Sequence, residues 1–117
     1  MDAHRRLVAW QRCRDLARET YRVTESFPQS ERFGLTSQLR RAAVSSAANI
    51  AEGYARYGRS EPAHALSVSL GSLAEMDTLL EIANDLGYLT PEGYAALCSL
   101  RGEASRVTFG LQRKVRR

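Results

Sequence analysis

Residues 34–53 read GLTSQLRRAAVSSAANIAEG. Glycine stands at each end and proline is absent. Leu35, Leu39, Ala42 or Ala43, Ser46 and Ile50 recur at steps of three and four, the period of one helix face. Gln38, Arg40, Arg41, Ser45, Asn49 and Glu52 take the other face. The stretch predicts a helix over 35–55 with an inner stripe of small residues. Its Ala and Ser positions let neighbouring helices approach closely. Asn49 and Glu52 are polar residues beside that stripe and are expected to hydrogen-bond between helices, with Arg41 as the partner of Glu52.

Upstream, residues 4–26 predict a first helix with Leu7, Trp10, Cys13, Leu16 or Ala17, Thr20 and Val23 inside. Trp10 reads as a core anchor. Phe27-Pro28 ends this helix, because a residue before proline avoids the helical region. In the connector that follows, Ser30 and Glu31 suit a single turn, and Phe33 is expected to tuck under the bundle end. Downstream, Ser60-Glu61-Pro62 opens a third helix over 61–86 with a capping hydroxyl and a first-turn proline. Leu66, Leu70, Leu73 and Leu80 form its stripe, widened by Leu79, Ile82, Ala83 and Leu86. Gly71 inside it costs about 1 kcal/mol relative to alanine, which predicts close packing against another helix. Gly87 closes the helix in the left-handed region. Thr90-Pro91 caps a fourth helix over 91–115, with Leu97, Leu100, Ala104, Val107, Leu111 and Val115 inside. Four amphipathic helices with short connections predict an all-α, up-down-up-down antiparallel four-helix bundle. At 117 residues the chain is expected to be one domain.

Net charge is +4, and its distribution is uneven: residues 1–60 carry +5, residues 61–100 carry −6, and residues 101–117 carry +5. Sixteen of the seventeen basic residues are arginine. No apolar run approaches the roughly 20 residues of a membrane span. The charged start, MDAHRRLVAW, lacks the apolar core of a signal peptide, so a cytoplasmic protein is expected. Cys13 and Cys98 have no metal-ligand spacing and read as small core residues. Glu75, Asp77, Glu81 and Asp85 lack the Glu-x-x-His pair of a di-iron site. No metal, cofactor or catalytic residue is expected. No glycine-rich phosphate loop or nucleophile–base pair is visible, and the chain is expected not to be an enzyme.

The opening stretch, with GSLAEMDTLLEIANDLGYL at 71–89, resembles the four-helix bundle proteins encoded in intervening sequences of bacterial 23S rRNA genes. It is also similar to the accessory variability determinant proteins of diversity-generating retroelements. The similarity runs over residues 10–94. It independently implies a four-helix bundle and a ring-shaped homopentamer. Family members carry a β-branched residue and then proline where this chain has Ser46 and Ala47, so a kink expected of the family is removed here.

Two functional expectations follow. The first is an accessory protein that holds the RNA or DNA backbone electrostatically, through Arg40, Arg41, Arg56, Arg59, Arg113, Lys114, Arg116 and Arg117. In YARYGR at 54–59, arginine and tyrosine suit phosphate and base stacking. The same residues equally suit a helix C-terminus with a glycine turn. The second is an oligomerisation module, binding a protein partner such as a reverse transcriptase. Here Glu75 and Asp77 of an acidic third helix meet a basic helix of the next subunit.

Overall fold

The computed structural model describes residues 3–55 and 61–116. Four helices run antiparallel in sequence: α1 (Val8–Thr24), α2 (Leu35–Ala55), α3 (Glu61–Asp85) and α4 (Pro91–Val115). Each packs on its neighbours in the chain, α4 closes on α1, and the diagonal pairs stay apart. The result is an up-down-up-down four-helix bundle 43 Å long and 22 Å across. The most extensive interface joins α2 to α3. Ala42, Ala43, Ser46 and Gly53 are buried on the α2 side, and small side chains bring backbones together.

The expected first helix is shorter and is broken at its start. Ala3–Arg6 forms a 3-10 turn, and Leu7 is extended before α1 begins. Inside α1 the fully buried residues are Cys13, Leu16 and Thr20, while Leu7, Trp10 and Val23 pack at the core edge. The connector contains a turn at Gln29–Glu31, as Ser30 and Glu31 suggest. The Glu31 carboxylate accepts from the Leu35 amide at 3.0 Å and from the Tyr88 hydroxyl at 3.1 Å. One side chain thereby caps α2 and pins the α3–α4 turn. Gly34 leaves room for this: a Cβ there would lie 2.5 Å from Glu31 Oε1.

The helix ends follow local chemistry. After α3, the Tyr88 amide donates to Ala83 O and the Gly87 amide to Asn84 O, both at 3.0 Å. This double bond pattern needs a left-handed residue, and Gly87 supplies it with φ of +79°. Thr90 Oγ1 accepts from the Gly93 amide at 3.0 Å and so caps α4, with Pro91 in its first turn.

Four expectations about packing are corrected. Phe33 does not tuck under the bundle; it is 88% exposed, because Glu31 rather than Phe33 joins the connector to the bundle end. Gly71 is exposed, and a Cβ built there meets nothing within 4 Å, so no neighbouring helix requires a glycine. Ile82 and Leu86 do not widen the α3 stripe but stand 42% and 54% exposed; Met76 fills the core between Leu73 and Leu80 instead. Val115 is also at the surface.

Midway along the bundle lies a polar layer to which every helix contributes. Cys13, Ser46, Ser69 and Thr108 are all fully buried. Ser69 Oγ donates to Ser46 O at 2.8 Å, and Ser46 Oγ donates to Ala43 O at 2.7 Å. Cys13 Sγ lies 4.0 Å from Thr108 Oγ1. Burial pushes the Cys13 thiol up, opposed by hydrogen bonds from Ser46, Thr108 and Ser69. Cys98 is half-buried, and both cysteines are free.

Candidate nucleic-acid interface

Antiparallel packing gathers the start of α1, the end of α2 and the end of α4 at one pole. A cleft of about 340 Å³ lies between α1 and α4, lined by Leu7, Val8 and Ala9 and by Val107, Gly110, Leu111 and Lys114. Arg113, Lys114 and Arg116 are exposed beside it. They occupy the last turn of α4 and its cap, where cations complement the helix dipole. At the same end, the Ala3–Arg6 turn packs on α2 and α1 and carries the exposed Arg5 and Arg6. Gln11 Nε2 holds this turn by donating to Arg5 O at 2.9 Å.

Trp10 adds an aromatic element. The Arg5 guanidinium carbon lies 5.7 Å from the indole centroid and that of Arg14 lies 5.1 Å away. His4 meets the ring edge-on at 4.8 Å. Trp10 therefore anchors the core edge, as expected, and also carries arginines on its outer surface. Arg5, Arg6 and Arg14 were not expected at this interface. Their signal is tertiary: the antiparallel fold sets the chain's beginning at the same end of the bundle as the last turn of α4, packed on α2.

Ion pairs among the described residues engage Arg12 with Asp15 and Glu103, Arg14 with Asp15, Arg22 with Glu19, Arg40 with Glu25, and Arg101 with Asp77. Arg5, Arg6, Arg113, Lys114 and Arg116 enter none of them. The Arg22 guanidinium holds the Glu19 carboxyl below its ordinary value.

The other expected nucleic-acid residues fall into two groups. Arg56, Arg59 and Arg117 lie outside the described residues. Tyr54, from the same YARYGR stretch, packs against the core, with a hydroxyl that is enclosed and unpartnered among the described residues. Arg40 and Arg41 lie near the far end of α2, about 22 Å of helix rise from Ala55. The structure therefore does not bring them together with Arg113, Lys114 and Arg116. Arg40 is half-buried and stacked 4.5 Å from the Tyr21 centroid, with Nε donating to Thr24 Oγ1 at 2.9 Å. Arg41 is exposed and shares a cleft with Ser45, Ser72 and Glu75.

The expected polar pair on α2 is also rearranged. Asn49 Nδ2 donates within its own helix, to Ser45 O at 2.8 Å and Ser45 Oγ at 2.9 Å. Ser72 Oγ then links Ser45 Oγ to α3 at 3.1 Å. Glu52 is exposed rather than buried. Eleven positions separate it from Arg41, about 16 Å of rise, too far for their expected pairing within one chain. On α3, Glu75 and Asp77 are exposed, and Asp77 Oδ1 lies 3.5 Å from Arg101 Nε. Among the described residues, no helix is long and apolar enough to cross a membrane. Nor does any group of three or more His, Cys, Asp or Glu there suit a metal ion.

No curated protein matches the sequence. The fold matches a crystal structure described as a protein of unknown function from the S23 ribosomal protein family of Bacteroides thetaiotaomicron VPI-5482. The TM-score is 0.81 at 20% identity, over 91% of this chain and 96% of that one. At that identity the likeness carries the fold alone. The profile of the 23S rRNA-intervening sequence protein family matches residues 5–110, nearly the whole bundle. With four antiparallel helices in place, the chain belongs to the 23S rRNA-intervening sequence protein family.

Proposed function

We propose that the chain is a non-enzymatic accessory protein whose basic pole binds the backbone of RNA or DNA. The observation that carries this reading is the exposed Arg113, Lys114 and Arg116 in the last turn of α4 and its cap, at the same end of the bundle as the exposed Arg5 and Arg6 that precede α1. Backbone binding of this kind releases counterions and so depends steeply on salt. Trp10, flanked by two arginines, supports stacking on an unpaired base as an addition to the phosphate contacts. The family description, which names an rRNA intervening sequence, favours RNA as the first probe.

The test is fluorescence anisotropy with a structured RNA hairpin at 50 mM and 200 mM salt. Affinity should fall roughly 10³-fold or more between the two if six or so phosphates are neutralised. Replacing Arg113, Lys114 and Arg116 together with glutamine should weaken binding at low salt and flatten the salt slope by about three. Salt-independent binding, or an unaltered slope in the triple variant, overturns the reading.

A second reading, self-assembly into a ring, has its own support. The outer face of α3 combines Asp77, Glu81 and Asp85 with the exposed apolar residues Ile82 and Leu86. That face complements a basic, apolar groove on a neighbouring copy. The two readings are compatible, since assembly and nucleic-acid binding use different surfaces.

A further inference from the structure

At the end of the bundle away from the basic pole, the α1–α2 corner holds a separate cleft of about 210 Å³. Thr24, Glu25, Gln29, Arg32, Thr36 and Arg40 line it. Thr36 is 7% exposed, yet its Oγ1 has no hydrogen-bond partner among the described residues. Other buried threonines in this protein do not behave so. Thr20 and Thr24 each donate to the carbonyl four residues back at 2.7 Å. A buried hydroxyl left unpartnered is costly and rare.

The surroundings of Thr36 are those of an anion site. It belongs to the first turn of α2, a 21-residue helix whose opening amides have no intrahelical acceptor. Glu31 takes the Leu35 amide and leaves those of Thr36 and Ser37 outside that cap. The positive end of the helix dipole favours an anion here. Arg40 stands one turn further along the same face. Thr24 Oγ1, the Tyr21 carbonyl at 3.4 Å and the Tyr21 ring fix its guanidinium. Arg32, also on the cleft wall, is exposed and adds a second positive charge.

We propose that this cleft binds a phosphate group, presented as a phosphomonoester or a phosphodiester. Tetrahedral oxygens can use the Thr36 hydroxyl, the first-turn amides and the two guanidinium groups together, with charge-assisted hydrogen bonds. Two carboxylates oppose the ligand. Glu25 Oε2 reaches Arg40 Nη2 only at 3.8 Å and is mostly exposed, so a phosphate displaces it readily. Glu31 is directed to Leu35 and Tyr88. The site shares no residue with the basic pole and stands whether or not that pole binds nucleic acid.

Amide-resolved NMR of the full chain tests this, with inorganic phosphate added at constant ionic strength. Saturable shifts are expected at Thr36, Ser37 and the Arg40 side chain. Thr36→Val keeps the side-chain shape and removes the orphan hydroxyl, so thermal stability should hold or rise while phosphate affinity drops about tenfold. Arg32→Gln should weaken binding similarly, and Glu25→Gln should strengthen it several-fold. A 5′-phosphorylated dinucleotide and its unphosphorylated counterpart separate the two sources: shifts with the first alone mark a monoester, shifts with both a diester. The proposal fails if phosphate shifts appear only around Arg113 and Arg116, if Thr36→Val and Arg32→Gln bind like the parent, or if neither dinucleotide shifts Thr36.

Discussion

Two glycines in this protein carry opposite obligations. Gly71 lies mid-helix on an exposed face, with open space where a Cβ would stand. It contributes no packing and only adds backbone entropy to the unfolded chain. Gly71→Ala should therefore stabilise the protein by about 0.5–1 kcal/mol, read as a rise in the urea midpoint. Gly87, at φ of +79°, has equally open surroundings but a conformation that costs an L-residue about 1 kcal/mol or more. Gly87→Ala should lower the midpoint despite the absence of any clash. If both substitutions shift stability the same way, the assignment of these roles is wrong. The sequence distinguished Gly87, because Asp-Leu-Gly-Tyr after an apolar run is a helix stop. It misread Gly71, since a glycine inside a helix looks the same whether it faces a neighbour or water.

Helices α2 and α3–α4 are joined at their ends by the Glu31–Tyr88 contact, and this contact is sensitive to pH. The Tyr88 phenol donates to the Glu31 carboxylate, so the hydrogen bond, with burial and the carboxylate charge adding to it, raises the Tyr88 pKa. The unfolded chain has an ordinary tyrosine near pH 10. The folded state thus holds this proton more tightly, and the contact contributes fully below about pH 10 and is lost as pH rises through the raised value. Tyr88→Phe should narrow the stability gap to the parent as pH climbs past 10, measured by denaturant unfolding at a series of pH values. A gap that stays constant would mean that the hydroxyl makes no stabilising contact. Apolar spacing made the helix limits legible: three of the four helices end within a residue of their expected positions. The start of α1 was not legible, because Leu7 fits a helical stripe and also fits an extended residue packed on the core edge. Connectors behaved likewise. Phe33 looked like a core residue from its side chain alone, whereas its exposure depends on where Glu31 anchors the turn.

Charge is sorted along and around the whole bundle, and assembly should respond to it. Reversing Glu75 and Asp77 together to lysine breaks one ion pair within the subunit, between exposed Asp77 and half-buried Arg101. The variant should stay folded while any oligomer falls to the 13.0 kDa single-chain mass in light scattering. An unchanged oligomer mass would remove this face from the contact. The basic pole was half legible. Arg113, Lys114 and Arg116 stand together in the sequence, but that Arg5 and Arg6 share their end of the bundle follows only from the antiparallel fold. Finally, the layer of Cys13, Ser46, Ser69 and Thr108 bears on alignment. Much of α2 is alanine and serine, and smooth, repetitive surfaces of that kind tolerate sliding by one turn. A slid arrangement would break the two contacts that cross between helices, Ser69 to Ser46 and Cys13 to Thr108, and leave the Ser69 hydroxyl without the Ser46 carbonyl. The layer acts as a notch: it gives up some apolar contact, and in exchange the observed alignment is the one that sets Ser69 on Ser46 and Cys13 on Thr108.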